Sequence, residues 1–271
     1  VYKRQTYHSL HKIVDSGINV DVLYCDEAHN ATQKNHFVGV AATSMAAESA
    51  YFFTATPKFN RNPFANGMNN RVVFGDTLES VPAPELIEQG HILPPTIVPF
   101  ETDHERTKHN VHDIDAGTVR DILDNLDHTS AAKDLVAVPS SRILGNMIGK
   151  TTLLAELKDR GYNVMHVTSK FGAIVDGVKV SREVFFDTLT QWGKEEGRKF
   201  IVFHYSILSE GINVPGLTHT ILLRNLNVVE MAQTIGRVIR LDKDDAARLK
   251  SGELTACQWG FYNKPTGFVT V

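Results

Sequence analysis

Short apolar runs, each closed by small or polar residues, recur along the chain at Val20 to Cys25, Tyr51 to Phe53, Leu135 to Val138, Val164 to Val167, Phe200 to Phe203 and Thr220 to Leu223. Runs of this length with such boundaries predict buried strands. Most are separated by amphipathic stretches of helical length, such as Arg142 to Arg160 with Leu144, Met147, Ile148, Leu154 and Leu157 on one side. Strand and helix in alternation predict an α/β fold whose mainly parallel sheets are covered on both faces. The segment from Leu93 to Asn110 breaks the pattern with three prolines and many polar residues, which suits a linker. The expected organisation is therefore a first domain over 1–98, a linker over 99–115 and a second domain over 116–271. Two core strands are too few for an independent sheet, and the sequence starts at Val1 in mid-pattern. The first domain is expected to be truncated at its N-terminal side.

Composition narrows the class of protein. A chain that is 42% hydrophobic and 22% charged is an ordinary globular mixture, not a disordered or fibrous one. No apolar stretch approaches the roughly 18 residues of a membrane span, and no N-terminal signal segment is visible. Cys25 and Cys257 are the only cysteines, too few for a disulfide framework, which suits a reducing compartment. The expected location is the cytoplasm of a bacterial or phage-infected cell. With a net charge of −3, any nucleic-acid contact must come from a local patch. Among twelve histidines, His104, His109 and His112 gather near the linker without a nearby cysteine, and they are expected to be solvated and not to hold zinc.

Ligands of open α/β sheets bind beyond the carboxyl ends of the strands, so the residues closing each apolar run carry the chemistry. Asp26 and Glu27 follow directly on Val22-Leu23-Tyr24-Cys25. One carboxylate can hold Mg²⁺ through its water shell while the next orients or deprotonates an attacking water. Thr54 and Thr56 close the next run, within reach of those carboxylates or of His29. Later runs close differently, Phe200 to Phe203 in His204-Tyr205-Ser206 and Thr220 to Leu223 in Arg224-Asn225. Asn227 can cap a helix on which Gln233, Arg237 and Arg240 fall within about 60° of one another, opposite Met231, Ile235 and Val238. Its two guanidiniums, presented outward, match phosphate oxygens. Thr168, Ser169 and Lys170, at the end of their strand, can bind phosphates without reading bases.

Asp26-Glu27-Ala28-His29, Thr54-Ala55-Thr56, Ser209-Glu210-Gly211-Ile212-Asn213-Val214-Pro215 and Gln233-Thr234-Ile235-Gly236-Arg237-Val238-Ile239-Arg240 resemble motifs II, III, V and VI of superfamily-two helicases and translocases, in that family's order. The resemblance covers nearly the whole chain. Thr6 to Leu10 resembles the segment before motif II, and Ala83 to Pro95 is similar to the close of the first RecA-like domain in the RecG, UvsW and restriction-motor branch. It implies tandem RecA-like domains that bind ATP with Mg²⁺ and act on DNA, double-stranded or branched, in preference to RNA. Asp26 would then bind the Mg²⁺ of ATP and Glu27 would activate the hydrolytic water. His29, Thr54 and Thr56 would couple nucleotide state to nucleic-acid grip. Gly211 and Asn213 would lie at the seam that faces both ATP and nucleic acid and would bind the nucleotide, with Ser209 toward the nucleic acid. Gln233 would face the water or His29, and Arg237 and Arg240 would reach the γ-phosphate. Asn213 and Thr234 depart from the aspartate and arginine of many relatives.

One family feature, the phosphate loop Gly-x-x-x-x-Gly-Lys-Ser/Thr, does not occur among the 25 residues before Asp26. This chain alone is accordingly expected not to hydrolyse ATP. Gly149-Lys150-Thr151-Thr152 imitates the end of that loop, but Leu144 stands where its first glycine belongs, and the apolar spacing fits a continuous helix. Two other classes stay open: a kinase or GTPase-like protein built around Lys150, and a nucleic-acid-binding module without catalysis.

Overall fold

Each apolar run overlaps a strand in the computed structural model, which describes residues 4–126, 131–205 and 214–271. The chain divides into two units, Val1–Ser80 and Val81–Val271.

The first unit holds α1 (His11–Asp15), β1 (Val22–Cys25), α2 (Lys34–Ala46), β2 (Ser49–Phe52) and α3 (Arg71–Phe74). β1 and β2 pair in parallel, Val22 opposite Ser49 through Cys25 opposite Phe52. A parallel pair needs a crossover, which α2 supplies. On one face Phe52 packs with a small core of Leu10, Ala31, Val40, Val73 and Phe74. Alternation sends Val22, Tyr24, Tyr51 and Phe53 to the other face, where Tyr24 is 67% exposed. Its ring stacks on those of Tyr51 and Phe53, with centroids 5.5 and 6.2 Å apart.

The second unit contains α4 (Ala83–Glu88), β3 (Pro95–Val98), α5 (Val111–Asn125), β4 (Lys133–Ala137), α6 (Ser141–Lys150), α7 (Leu153–Asp159), β5 (Asn163–Thr168), β6 (Gly172–Val175), β7 (Val178–Val180), α8 (Arg182–Lys194), β8 (Phe200–His204), β9 (His219–Leu222), α9 (Val228–Val238), α10 (Lys243–Ser251) and β10 (Gly267–Thr270). One eight-stranded sheet runs β3-β10-β9-β4-β8-β5-β6-β7. It is parallel except for the β6–β7 hairpin, which continues β5 antiparallel. Alternate residues serve opposite faces. Val136, Ile201 and Phe203 pack with Val119, Leu144, Met147 and Leu157 of α5, α6 and α7. Leu135, Phe200 and Val202 pack with Phe185 and Leu189 of α8 and Val238 of α9.

Three boundaries differ from the sequence reading. Residues 81–98 belong with the second unit, not the first: β3 pairs with β10, and Leu93 is buried with Leu254 and Tyr262. Prolines do not prevent this, because Pro95 opens an edge strand, where its missing N–H costs no ladder bond. The expected linker also ends early, since α5 starts at Val111. Finally, Arg142 to Arg160 is two helices. Thr151 is extended (φ −114°, ψ 172°), its hydroxyl bonding back to the Met147 carbonyl and accepting from the Leu153 N–H, so the chain breaks there.

Candidate functional site

At the tip of β1 the chain reverses within two residues. Glu27 sits in the left-handed region (φ 47°, ψ 48°), a conformation that non-glycine residues seldom adopt. The Asp26 side chain accepts from the Glu27 N–H at 2.9 Å, and the Tyr7 hydroxyl donates to the Asp26 carbonyl. Phe53 N–H donates to the Cys25 carbonyl at 2.9 Å and Ala28 N–H to the Phe53 carbonyl at 2.8 Å, stitching the two strand tips together. Burial pushes the Cys25 thiol up to about 11, so it stays neutral beneath the turn.

His29 is buried against this turn. Its Nδ1 lies 3.0 Å from Thr54 Oγ1, 3.3 Å from Thr56 Oγ1 and 3.4 Å from Glu27 Oε2. Thr54 Oγ1 also accepts from the Thr56 N–H, and Thr32 donates to the His29 carbonyl. One histidine thus joins the carboxylate at one strand tip to both hydroxyls at the next. The Glu27 carboxylate is 41% exposed, held from behind and open in front, which suits a group that takes a proton from water. Asp26 is exposed. Mg²⁺ keeps several of its own waters and takes one or two carboxylates together with phosphate oxygens. A single exposed Asp26 fits that requirement, and no cage of three or more His, Cys, Asp or Glu side chains occurs among the described residues.

In the second unit α9 starts as its sequence predicts, with Asn227 Oδ1 accepting from the Glu230 N–H at 3.0 Å. The outward stripe does not form. Arg237 is only 6% exposed, Gln233 is half-buried, and Arg240 lies beyond the last helical residue, Val238. The periodicity is correct, but a helix packed on a sheet buries the flank of its polar side as well. The carboxyl ends of two central strands carry a further polar group without a carboxylate pair. His204 closes β8 and Arg224 follows β9. Arg224 donates to the Tyr205 carbonyl at 2.9 Å, stacks over the Tyr205 ring and lies 3.3 Å from Glu230 Oε2. Burial, reinforced by the Arg237 and Arg224 guanidiniums, holds the His204 imidazole down to about 3, so it is neutral. A histidine ending an otherwise apolar buried strand was the available signal.

Thr168 is 1% exposed, and its hydroxyl accepts from the Phe171 N–H at 2.9 Å to close the turn into β6. It is a turn residue and not an open phosphate contact, while Ser169 and Lys170 are exposed beside it. The β6–β7 hairpin went unread, although Asp176-Gly177 between alternating residues is a strong hairpin signal. Gly149 and Lys150 form the last turn of α6, and Lys150 is exposed. No loop there can wrap a phosphate. Ser209, Gly211 and Asn213 lie outside the described residues.

No protein-family model matches the chain, and no curated protein matches it in sequence. Among solved structures it is similar to the ATP-dependent type ISP restriction-modification enzyme LlaBIII bound to DNA, at 13% identity and a TM-score of 0.63 over 98% of this chain and 19% of that one. A fragment described as an HsdR subunit of a type I restriction enzyme from Vibrio vulnificus YJ016 matches at 18% identity and 0.64, over 97% of this chain and 46% of that one. The DEAD-box helicase Mss116, bound to single-stranded RNA and AMP-PNP, matches at 12% identity and 0.50, over 98% and 51%. The chain spans about a fifth to a half of these proteins. What they share with it is architecture, a mixed α/β fold with a mainly parallel sheet that matches RecA-like domains.

Proposed function

We propose that the chain is part of an ATP-driven DNA helicase or translocase core. The observation that carries this reading is the network at the first two strand tips, where His29 links Glu27 to Thr54 and Thr56. Such a link makes the position of a proton-accepting carboxylate depend on the neighbouring loop, as coupling of hydrolysis to movement requires. When bound, MgATP supplies the phosphoryl group and the cation that screens its charge. Asp26 would hold the Mg²⁺ through water, Glu27 would accept the proton of the attacking water, and Gln233 would help to orient it. Arg237 and Arg240 would supply positive charge where the transferring group develops negative charge. Gly211 and Asn213 are assigned to the nucleotide, and Ser209, Ser169 and Lys170 to the nucleic-acid backbone. DNA is preferred to RNA because the DNA-bound LlaBIII matches at a TM-score of 0.63 and the RNA-bound helicase at 0.50.

The test is ATP turnover by the full-length protein with and without duplex DNA, with RNA as the control. Stimulation by DNA is expected, together with large losses for Arg237→Ala and Arg240→Ala that leave DNA binding intact. Turnover indifferent to DNA, or arginine variants that lose DNA binding but keep hydrolysis, would sink the assignment.

A further inference from the structure

We propose that the loop between β2 and α3 binds unpaired DNA, with Phe59 and Phe64 stacking on its bases and Lys58 and Arg61 meeting its phosphates. The inference deepens the function proposed above and rests on it for the choice of DNA as the nucleic acid. Phe59 and Phe64 are 72% and 80% exposed, the two most exposed rings among the described phenylalanines and tyrosines. Single exposed apolar residues are common and need no explanation. What calls for one is the backbone beneath this pair. The Met68 N–H donates to the Lys58 carbonyl at 2.8 Å, and Asn60 and Asn69 exchange hydrogen bonds of 2.9 and 2.8 Å across the base of the loop. Within it the Asn60 side chain accepts from the Asn62 N–H, and the Asn62 side chain from the Phe64 N–H, two consecutive asparagine turns. Gly67 approaches so closely that a Cβ there would sit 2.4 Å from the Asn60 nitrogen. Backbone held this firmly keeps both rings in water, a cost that a base stacked on them removes.

Charge decides what the rings meet. No Asp or Glu occurs from residue 49 to residue 75, although the whole chain carries a net charge of −3. Arg71 pairs with Asp76 at 3.2 Å, while Lys58 and Arg61 have no ion-pair partner among the described residues. Aromatic rings interleaved with cations suit single-stranded nucleic acid, whose bases offer π-faces and whose phosphates are anionic. An apolar protein surface would cover the rings but leave both cations unmatched. Inside a duplex each base is covered by its neighbours, so the occupant is an unpaired stretch. The loop also follows directly on Thr54 and Thr56, and Asn66 donates to the carbonyl of Thr32, whose hydroxyl donates to the His29 carbonyl. It is thereby tied to the histidine that contacts Glu27.

Fluorescence anisotropy of a labelled oligothymidylate, with a blunt duplex of equal length as control, tests this on the full-length protein. Phe59→Ala and Phe64→Ala are each expected to weaken oligothymidylate binding roughly tenfold, as loss of one base stack does. Phe59→Trp and Phe64→Trp should keep parental affinity, whereas Phe59→Leu and Phe64→Leu, apolar but without a π-face, should lose as much as alanine. Arg61→Ala should lower the salt dependence of log affinity by about 0.7, one single-strand phosphate contact. Duplex affinity and Tm should stay at the parental values. Parental single-strand affinity in both alanine variants overturns the proposal and leaves the rings to an apolar protein partner. Leucine variants that bind as the parent does overturn the stacking, and equal losses on the duplex overturn the choice of unpaired bases. A Tm fall of more than about 5 °C in both alanine variants overturns it too, because the rings would then be packed against another part of the chain. A parent with DNA-stimulated ATP hydrolysis whose variants bind single strands normally overturns this site alone. A parent that binds oligothymidylate through both rings without such hydrolysis overturns the motor reading and keeps the site, and one that binds no DNA overturns both.

Discussion

In the second unit six parallel strands and a hairpin bury both faces, and residues such as Ile201 and Phe203 are completely enclosed. In the first unit two strands bury one face and leave Tyr24, Tyr51 and Phe53 open on the other. What holds the proposed site residues differs accordingly. Arg237 is held by a hydrophobic core, whereas Asp26 and Glu27 are held by polar stitching. That stitching extends into the loop after β2, where Asn60 and Asn69 exchange hydrogen bonds and Asn66 donates to the Thr32 carbonyl. The carboxylate proposed to meet water sits on a scaffold of hydrogen bonds, and the guanidinium proposed to meet the phosphoryl group is enclosed.

The sharpest way to break this comparison is to cut into each apolar surface. Phe203→Ala should destabilise the second unit by about 3–5 kcal/mol, as a large cavity in a closed core does. Tyr24→Ser should change stability by no more than about 0.5 kcal/mol, because the ring is already wet. Urea midpoints measure both, and a comparable cost at Tyr24 would mean that the aromatic face is covered. Catalytic sensitivity should run the other way. In the full-length protein Glu27→Gln is expected to lower ATP turnover on the order of a hundredfold while nucleotide binding survives, since an amide keeps the shape but takes no proton. Turnover within about threefold of the parent would remove Glu27 from the chemistry.

A subtler contrast lies within the second unit, in two buried groups with opposite pH responses. Burial pushes the Asp115 carboxyl up to about 6 against the pull of Arg106 and His112, while an unfolded aspartate titrates near about 3.9. Its protonation favours the fold, so that contribution is fully present below about 4 and lost as pH rises through about 6. His204, held down to about 3 against about 6.5 when unfolded, contributes above about 6.5, and its contribution is lost as pH falls toward 3. Between pH 7 and 4, any stability advantage of Asp115→Asn over the parent should shrink, and that of His204→Leu should grow. Parallel curves would show that neither group is buried as described. The smallest effect is expected at Lys150, where Lys150→Ala should shift stability by less than about 0.5 kcal/mol and leave hydrolysis by the full-length protein unchanged. Lost nucleotide binding there would revive the kinase-like reading.

The strands of the second sheet's centre were legible because a strand buried on both faces is apolar throughout, as in Phe200 to Phe203. The sheet's periphery was not. β3 carries a proline, which fits only at an edge, and edge position is a property of the assembled sheet. Helical spacing placed Gln233 and Arg237 together correctly, yet it says nothing of where a helix stops, so Arg240 was put on a turn that does not exist. The carboxylate pair was visible as composition at a strand end. The left-handed turn that presents Glu27 arises from tertiary packing and has no local signature, whereas His204 was visible as a histidine closing an apolar run.

The backbone at Glu27 also acts as a record of use. A residue with a side chain held in the left-handed region costs about 1–3 kcal/mol, and glycine or asparagine would relieve that cost. In a lineage that no longer needed hydrolysis, drift would carry position 27 toward those residues while the strands on either side stayed the same. On the proposed function, retention of glutamate at a site where the backbone disfavours it would mark a chain still selected for turnover, and sequencing its relatives at this one position would test that reading.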